Sequence, residues 1–297
     1  MTIERGMHMS DEREQRNQVF AAAPTAGVDA RIPTQSAVDK FKADFGIDIP
    51  TETVPLPSNG KVYPPASPLH NQETVDILPM TAREEDILTS RALMKKGTIL
   101  SELIKSCLVN KAIDPLDMLI GDRTAIMVAI RITGYGADYD TEVECNECQN
   151  KSPKPFNLGE LPIRRLALTP VADGLNLFEF TLPLTKKVIR FKFLTGRDEE
   201  QITATADRQK KLNLQSDATV TTNLLYCIQA IDGIEDRAKI ASFVRMMPAR
   251  DSLALRSYIR DNEPGIIMRQ EVTCPSCGCT EVISMPIGIT FFWPGSK

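Results

Sequence analysis

Cys145-Asn146-Glu147-Cys148 and Cys274-Pro275-Ser276-Cys277-Gly278-Cys279 hold five of the seven cysteines in the chain. A CxxC turn lets two sulfurs face one ion while nearby backbone amides offset thiolate charge. Two such knuckles complete a tetrahedral shell of four thiolates. Cys145, Cys148, Cys274 and Cys277 are therefore the expected ligands of a single ion, with Cys279 the substitute if Cys277 takes no part. Gly278 suits the tight turn after the second knuckle. Zinc (Zn2+) is expected over an iron–sulfur cluster because two preformed knuckles match a closed structural site. A filled shell leaves no place for water, so the ion would hold structure and perform no catalysis. His8 and His70 are the only histidines, and an imidazole ligand is not expected.

The spacing is unusual. Zinc ribbons put about 15–20 residues between knuckles, whereas 125 residues separate Cys148 from Cys274. Lengthening a flexible loop about sevenfold costs roughly 1.7 kcal/mol of closure entropy. Structural zinc contributes on the order of 10 kcal/mol or more, so the spacing is tolerable. Two rival arrangements use the same residues: a redox CxxC, which would open a helix after a strand, and unrelated or disulfide-bonded pairs. The flanks here look like hairpin arms, and the charged N-terminus lacks the apolar run of a secretory signal. Folding is therefore placed in a reducing cytoplasm, where clustered cysteines favour metal over disulfides.

Outward from the knuckles, the two halves repeat. With the numbering shifted by 129, nine of 27 positions from Asp122 to Cys148 are identical without a gap. Asp122 meets Asp251, Ala125 meets Ala254, Ile130-Arg131 meets Ile259-Arg260, Gly136 meets Gly265, Glu142-Val143 meets Glu271-Val272, and the cysteines coincide. Upstream the match needs gaps: Thr81, Arg83, Glu84-Glu85 and Ile87 resemble Thr195, Arg197, Glu199-Glu200 and Ile202, and Ile113-Asp114 resembles Ile231-Asp232. Chance similarity of two helix-to-strand passages is the alternative. The expected fold class is α+β: two related helical and strand units, an internal duplication, joined by a split four-cysteine zinc-ribbon-like site, with an extended N-terminal arm. The boundaries are 1–54 for the arm, 55–158 for the first unit with its knuckle, and 159–297 for the second unit with its knuckle and an aromatic C-terminal tip.

Local signals fill in the units. Val38, Phe41 and Phe45 share a helical face between Ser36 and Gly46, either a turn of helix in a loose tail or a docking peptide. Asn59-Gly60 between prolines is turn chemistry, and Thr74–Leu78 reads as a short strand. Thr81 with Glu84 forms a capping box, and the run Glu84-Glu85-Asp86 reads as a solvated helix start. Asp114-Pro115 looks like a cap and first helical residue. Asp122 is expected to cap a helix running to about Ile132, ended by Gly134 and Gly136, with a strand following from Asp140 to Glu144. Cys107 reads as core. Lys151–Asn176, with four prolines, is expected to break regular structure. Residues 177–182 and 188–194 alternate like a strand pair, and 207–216 reads as an exposed helix end or loop. Thr290–Pro294, with the only tryptophan, either covers the core or plugs into a partner.

Leu56-Pro57-Ser58-Asn59-Gly60 with Tyr63-Pro64, Met80–Ser90, Leu119–Arg123 and Arg131–Gly136 together resemble the baseplate hub proteins of contractile-tailed bacteriophages of the T-even type. The similarity covers residues 55–150, reaches the second half only through the repeat, and leaves out the leader. It implies a structural component or assembly factor of the baseplate hub, located in the virion tail and assembled in the host cytoplasm. The implied partners are other hub and tail-tube-proximal phage proteins, in an oligomeric baseplate. No enzymatic role is expected: there is no phosphate-binding glycine loop, serine nucleophile elbow or histidine acid–base group.

The rival function is a zinc-ribbon nucleic-acid-binding regulator. The net charge of -4, from 35 basic and 39 acidic residues, argues against a protein that neutralises phosphates. Around the knuckles, Glu142, Glu144, Glu147, Glu271 and Glu281 oppose only Lys151, Lys154 and Arg269, where ribbons that bind nucleic acid carry basic and aromatic residues. No apolar run reaches the roughly 18–20 residues a membrane span needs.

Overall fold

Leu56-Pro57-Ser58-Asn59-Gly60-Lys61-Val62 turns sharply because Asn59 and Gly60 adopt φ of 52° and 70°, a region asparagine tolerates and glycine enters without a Cβ penalty. The computed structural model describes residues 42–46, 49–211, 219–285 and 287–293. Most of the arm assigned to 1–54, the expected helix before residue 42, residues 212–216 and Pro294 lie outside the described residues. Strand β1 (Glu52–Pro55) enters the turn and β2 (Thr74–Ile77) pairs with it antiparallel. Helices α1 (Ala82–Thr89), α2 (Arg91–Lys96) and α3 (Ile99–Cys107), a 3-10 turn (Pro115–Asp117) and α4 (Ile120–Tyr135) follow. A hairpin of β3 (Asp138–Glu144) and β4 (Lys151–Asn157) ends the first half.

After β5 (Ile163–Arg164), the second half opens with β6 (Phe178–Thr181) and β7 (Val188–Phe191). Helices α5 (Gly196–Lys211) and α6 (Thr219–Cys227) lead to β8 (Ile228–Ile231), which completes a sheet ordered β6-β7-β8. Then come α7 (Arg237–Met246), α8 (Ala249–Asn262), β9 (Gly265–Ile266), paired with β5, and a second hairpin of β10 (Arg269–Thr273) and β11 (Thr280–Ser284). The fold is mixed helix and sheet. None of its helices is long and apolar enough to cross a membrane, among the described residues.

Several local contacts occur in similar form in both halves. Thr81 donates through both its backbone amide and its hydroxyl to Glu84, and Thr195 does the same to Asp198. The amide of Leu78 bonds the carbonyl of Cys107 at 2.8 Å, and that of Lys192 bonds Cys227 at 2.9 Å. Helices α4 and α8 are entered through Leu119 and Pro248, with φ of -58° and -56°. Leu56-Pro57 and Leu182-Pro183, each following a strand, lead into turns that dock on Asp122 and Asp251 respectively.

Three local expectations are corrected. Asp122 does not cap α4: it lies inside the first turn, fully buried, where its carboxylate accepts from the Ser58 amide (2.9 Å), the Ser58 hydroxyl (2.6 Å) and the Tyr63 hydroxyl (2.5 Å). Glu84 is not solvated: 4% exposed, it also accepts from the Ser106 hydroxyl at 2.5 Å. Lys151–Asn157 is a strand despite Pro153 and Pro155, because the two-stranded hairpin leaves alternate amides outward, where proline costs no ladder bond.

One hydrophobic core runs from Val54 to Phe292 across the boundary drawn at 158/159. Ile120 donates to Leu194 O (3.0 Å) and Gly196 to Met118 O (2.9 Å), stitching the halves together. Gly121 lies so close to the segment after α8 that a Cβ there would stand 1.7 Å from Pro264 O. The C-terminal turn (Ile289–Phe292) covers the core with Phe291 and Phe292, each fully buried. Arg131, 2% exposed, fixes that turn by donating to Phe291 O, Gly136 O and Asp138 O.

Candidate metal centre

Each knuckle is the turn of an antiparallel hairpin, and its backbone explains its shape. Cys145 donates to Asn150 O (3.1 Å) and accepts from Gln149 N (2.8 Å). Cys274 donates to Cys279 O (2.8 Å) and accepts from Gly278 N (3.0 Å). The chain reverses through a left-handed residue in both, Gln149 at φ 56° and Gly278 at φ 74°. Sequence reading identified the glycine but not Gln149; the shift of 129 that aligns the cysteines also places Gln149 on Gly278.

The four matched cysteines meet. The sulfurs of Cys145, Cys148, Cys274 and Cys277 all lie within 4.8 Å of one another. Cys145 Sγ is 3.6 Å from Cys277 Sγ, and Cys148 Sγ is 3.6 Å from Cys274 Sγ. A tetrahedron with Zn–S bonds of about 2.3 Å has sulfurs about 3.8 Å apart, so the spacing fits a four-thiolate ion with small adjustment. All seven cysteines are free thiols, and neither CxxC opens a helix. Cys279 occupies the position of Asn150 and stands outside the cluster. The hairpins are also held without metal: Lys154 Nζ donates to Thr273 O (2.9 Å), and the Asn146 side-chain amide donates to Glu281. Neither pairing was legible in the sequence, since nothing local marks which residues face across two hairpins 125 residues apart.

The electrostatics favour one thiolate first. Hydrogen bonds from the backbone amides of Cys277 and Ser276 pull Cys274 down to about 6. The Cys279 amide lowers Cys277 as well, but the neighbouring thiols Cys148, Cys145 and Cys274, together with desolvation, outweigh it and push Cys277 up to about 12. Four thiols so close cannot all ionise without a cation among them, and a divalent ion supplies that charge. Cys145 and Cys274 are buried whereas Cys148 and Cys277 face solvent, so one edge of the cluster is open to reagents.

Residues 49–174 match the family described as T4 bacteriophage base plate protein, which supports a phage baseplate protein. The matched stretch holds the first half, its knuckle and the segment crossing toward the second. No curated protein and no solved structure matches the chain.

Proposed function

We propose that this chain is a structural component or assembly factor of the hub in a contractile phage tail baseplate, a scaffold of two duplicated units clamped by zinc at Cys145, Cys148, Cys274 and Cys277. The observation that carries the reading is the convergence of four sulfurs within 4.8 Å from knuckles at the far ends of the two halves. The family match supplies the setting, since it covers the first unit and its knuckle. The paired capping boxes, the paired aspartates and the paired left-handed knuckle residues support the duplication, with the units drawn at 55–158 and 159–297 along one shared core.

A closed shell has no open ligand position, so the ion clamps the scaffold and leaves catalysis aside. In this reading the partners are neighbouring hub and tail-tube-proximal proteins. The nucleic-acid alternative has less support, because Glu142, Glu144, Glu147 and Glu271 all lie exposed around the knuckles. Mass spectrometry of purified virions and of assembly intermediates tests the role: the chain is expected in one or both. Its absence from both would overturn the assignment.

A further inference from the structure

We infer that the outer edge of β11 (Thr280–Ser284) joins a second copy of this chain by antiparallel strand pairing centred on Val282, so that two hairpins make one four-stranded sheet. The inference rests on the geometry of the hairpins and needs neither the baseplate role nor the duplication.

In an antiparallel ribbon, alternate residues turn their amide and carbonyl groups away from the partner strand. The bonds from Cys274 N to Cys279 O and from Met285 N to Met268 O fix this phase in the second hairpin. Arg269, Glu271 and Thr273 on β10, and Thr280, Val282 and Ser284 on β11, therefore face outward. In the first hairpin, Cys145 N to Asn150 O and Leu158 N to Ala137 O set the same phase. It turns Asp138, Asp140, Glu142 and Glu144 outward on β3, and Pro153 and Pro155 outward on β4. Of the four edges these ribbons present, three are unsuited to pairing with themselves. Pro153 and Pro155 leave β4 without amides to donate. Along β3 every outward residue is acidic, and Asp138 O already accepts from Arg131. On β10, Thr273 O accepts from Lys154 Nζ (2.9 Å), and full-length self-pairing would set Glu271 against itself.

The edge of β11 is open. Among the described residues, the outward backbone groups of Val282 and Ser284 have no hydrogen-bond partner, and Thr280 O meets only the Cys279 thiol, at 3.9 Å. Thr280, Val282 and Ser284 are all exposed, Val282 at 62%. They include no charge and no proline, the usual protections of an edge strand. Pro153 and Val282 hold the same place in their ribbons, opposite Glu142 and Glu271. The chain thus blocks this edge in one hairpin and leaves it free in the other. The free edge is complementary to itself. Antiparallel pairing on Val282 sets Thr280 against the second copy's Ser284 and exchanges about six hydrogen bonds. On the other face it sets Glu281 against the second copy's Ile283, so no like charges are opposed. A valine pair flanked by threonine–serine pairs is favourable cross-strand chemistry, and this uncharged self-match selects a second copy as the occupant.

The test is sedimentation velocity of the full chain, purified with its metal, over a concentration series reaching about 1 mM. Concentration-dependent dimers are expected. Val282→Pro removes an outward amide and no ladder bond, as Pro153 does in the first hairpin. Val282→Glu adds two carboxylates between the Glu271 side chains of the two copies. Each is expected to weaken dimerisation about tenfold or more, with circular dichroism and zinc content unchanged. Mixing Val282→Glu with Val282→Lys is expected to restore association as a heterodimer. If Val282→Pro disturbs the fold, that charge pair at an exposed position carries the test by itself. A chain that stays monomeric, dimers that survive Val282→Glu, or a mixture that fails to associate would each overturn the inference. The baseplate reading stands or falls separately, on the virion mass spectrometry.

Discussion

The sulfur of Cys145 lies 3.6 Å from that of Cys277, although 132 positions separate them in the chain. The alignment pairs Cys145 with Cys274 and Cys148 with Cys277, so the second contact, Cys148 to Cys274 at 3.6 Å, is the first with the two halves exchanged. That reciprocity makes the cluster a junction between the two hairpins. Loss of one thiol is therefore felt by both hairpins.

Asp122 and Asp251 occupy the same place in the two halves but not the same environment. Removing Asp122 strands the buried donors of Ser58 and Tyr63, so Asp122→Ala is expected to cost about 3 kcal/mol or more. Asp251→Ala leaves donors on Leu184 and Thr185 that water can reach, and is expected to cost about half as much. Urea denaturation of both variants compares them. Equal costs would show that the first turn is no better sealed than the second.

The same two carboxyls are expected to titrate in opposite directions. Burial raises Asp122, and the bonds from Ser58 and Tyr63 offset this only in part. At Asp251, burial is outweighed by the Leu184 amide and by the hydroxyl and amide of Thr185, so its pKa falls. Asp122 therefore makes stability fall as pH rises between the ordinary carboxylate value and its raised one. Asp251 contributes stability above the ordinary value that is lost as pH falls through its lowered one. Carbon-detected NMR titration resolves the two side chains, and a common midpoint would contradict this.

Gly121→Ala places a methyl group against Pro264 O, where the backbone cannot yield as a side-chain tip would. A destabilisation of about 1–3 kcal/mol is expected, with faster hydrogen exchange in Pro264–Ile266 and at the start of α4. An Ala variant as stable as the parent would mean that the halves meet more loosely than described.

Metal should leave on acidification. Thiolate ligands must stay deprotonated, so affinity falls as pH drops, most steeply once it passes the value of about 6 held by Cys274 in the metal-free cluster. Because Cys148 and Cys277 are exposed, a chelator should strip the ion without prior unfolding. Release with 4-(2-pyridylazo)resorcinol across pH 8 to 5 checks both points; metal retained at pH 5 would contradict them.

No retardation of phage DNA is expected in gel shifts at low or moderate salt, given the exposed glutamates around the knuckles. A shift that weakens steeply with salt would restore the nucleic-acid reading.

What the sequence disclosed depended on the range of each interaction. Cysteine spacing and the shift of 129 identified all four members of the cluster, because hairpin turns are local and repeat. The capping boxes at Thr81 and Thr195 were partly visible for the same reason. Asp122 misled, since a carboxylate at the start of a helix looks the same whether it caps that helix or receives a turn 64 residues earlier. The likeness of Leu56-Pro57 to Leu182-Pro183 lay outside the aligned window and emerged only once both turns were seen on their aspartates. Burial of Glu84 against Ser106 likewise depends on how α1 packs on α3, which no local pattern records.

Metal content measured on the purified full chain by elemental analysis, beside Cys145→Ser, Cys274→Ser and Cys279→Ser variants, bears most directly on how this molecule is held together. One zinc per chain is expected in the parent and in Cys279→Ser, with loss of zinc and of solubility in the other two. A parent without zinc, or a Cys145→Ser, Cys274→Ser double mutant that stays fully folded, would contradict the clamp.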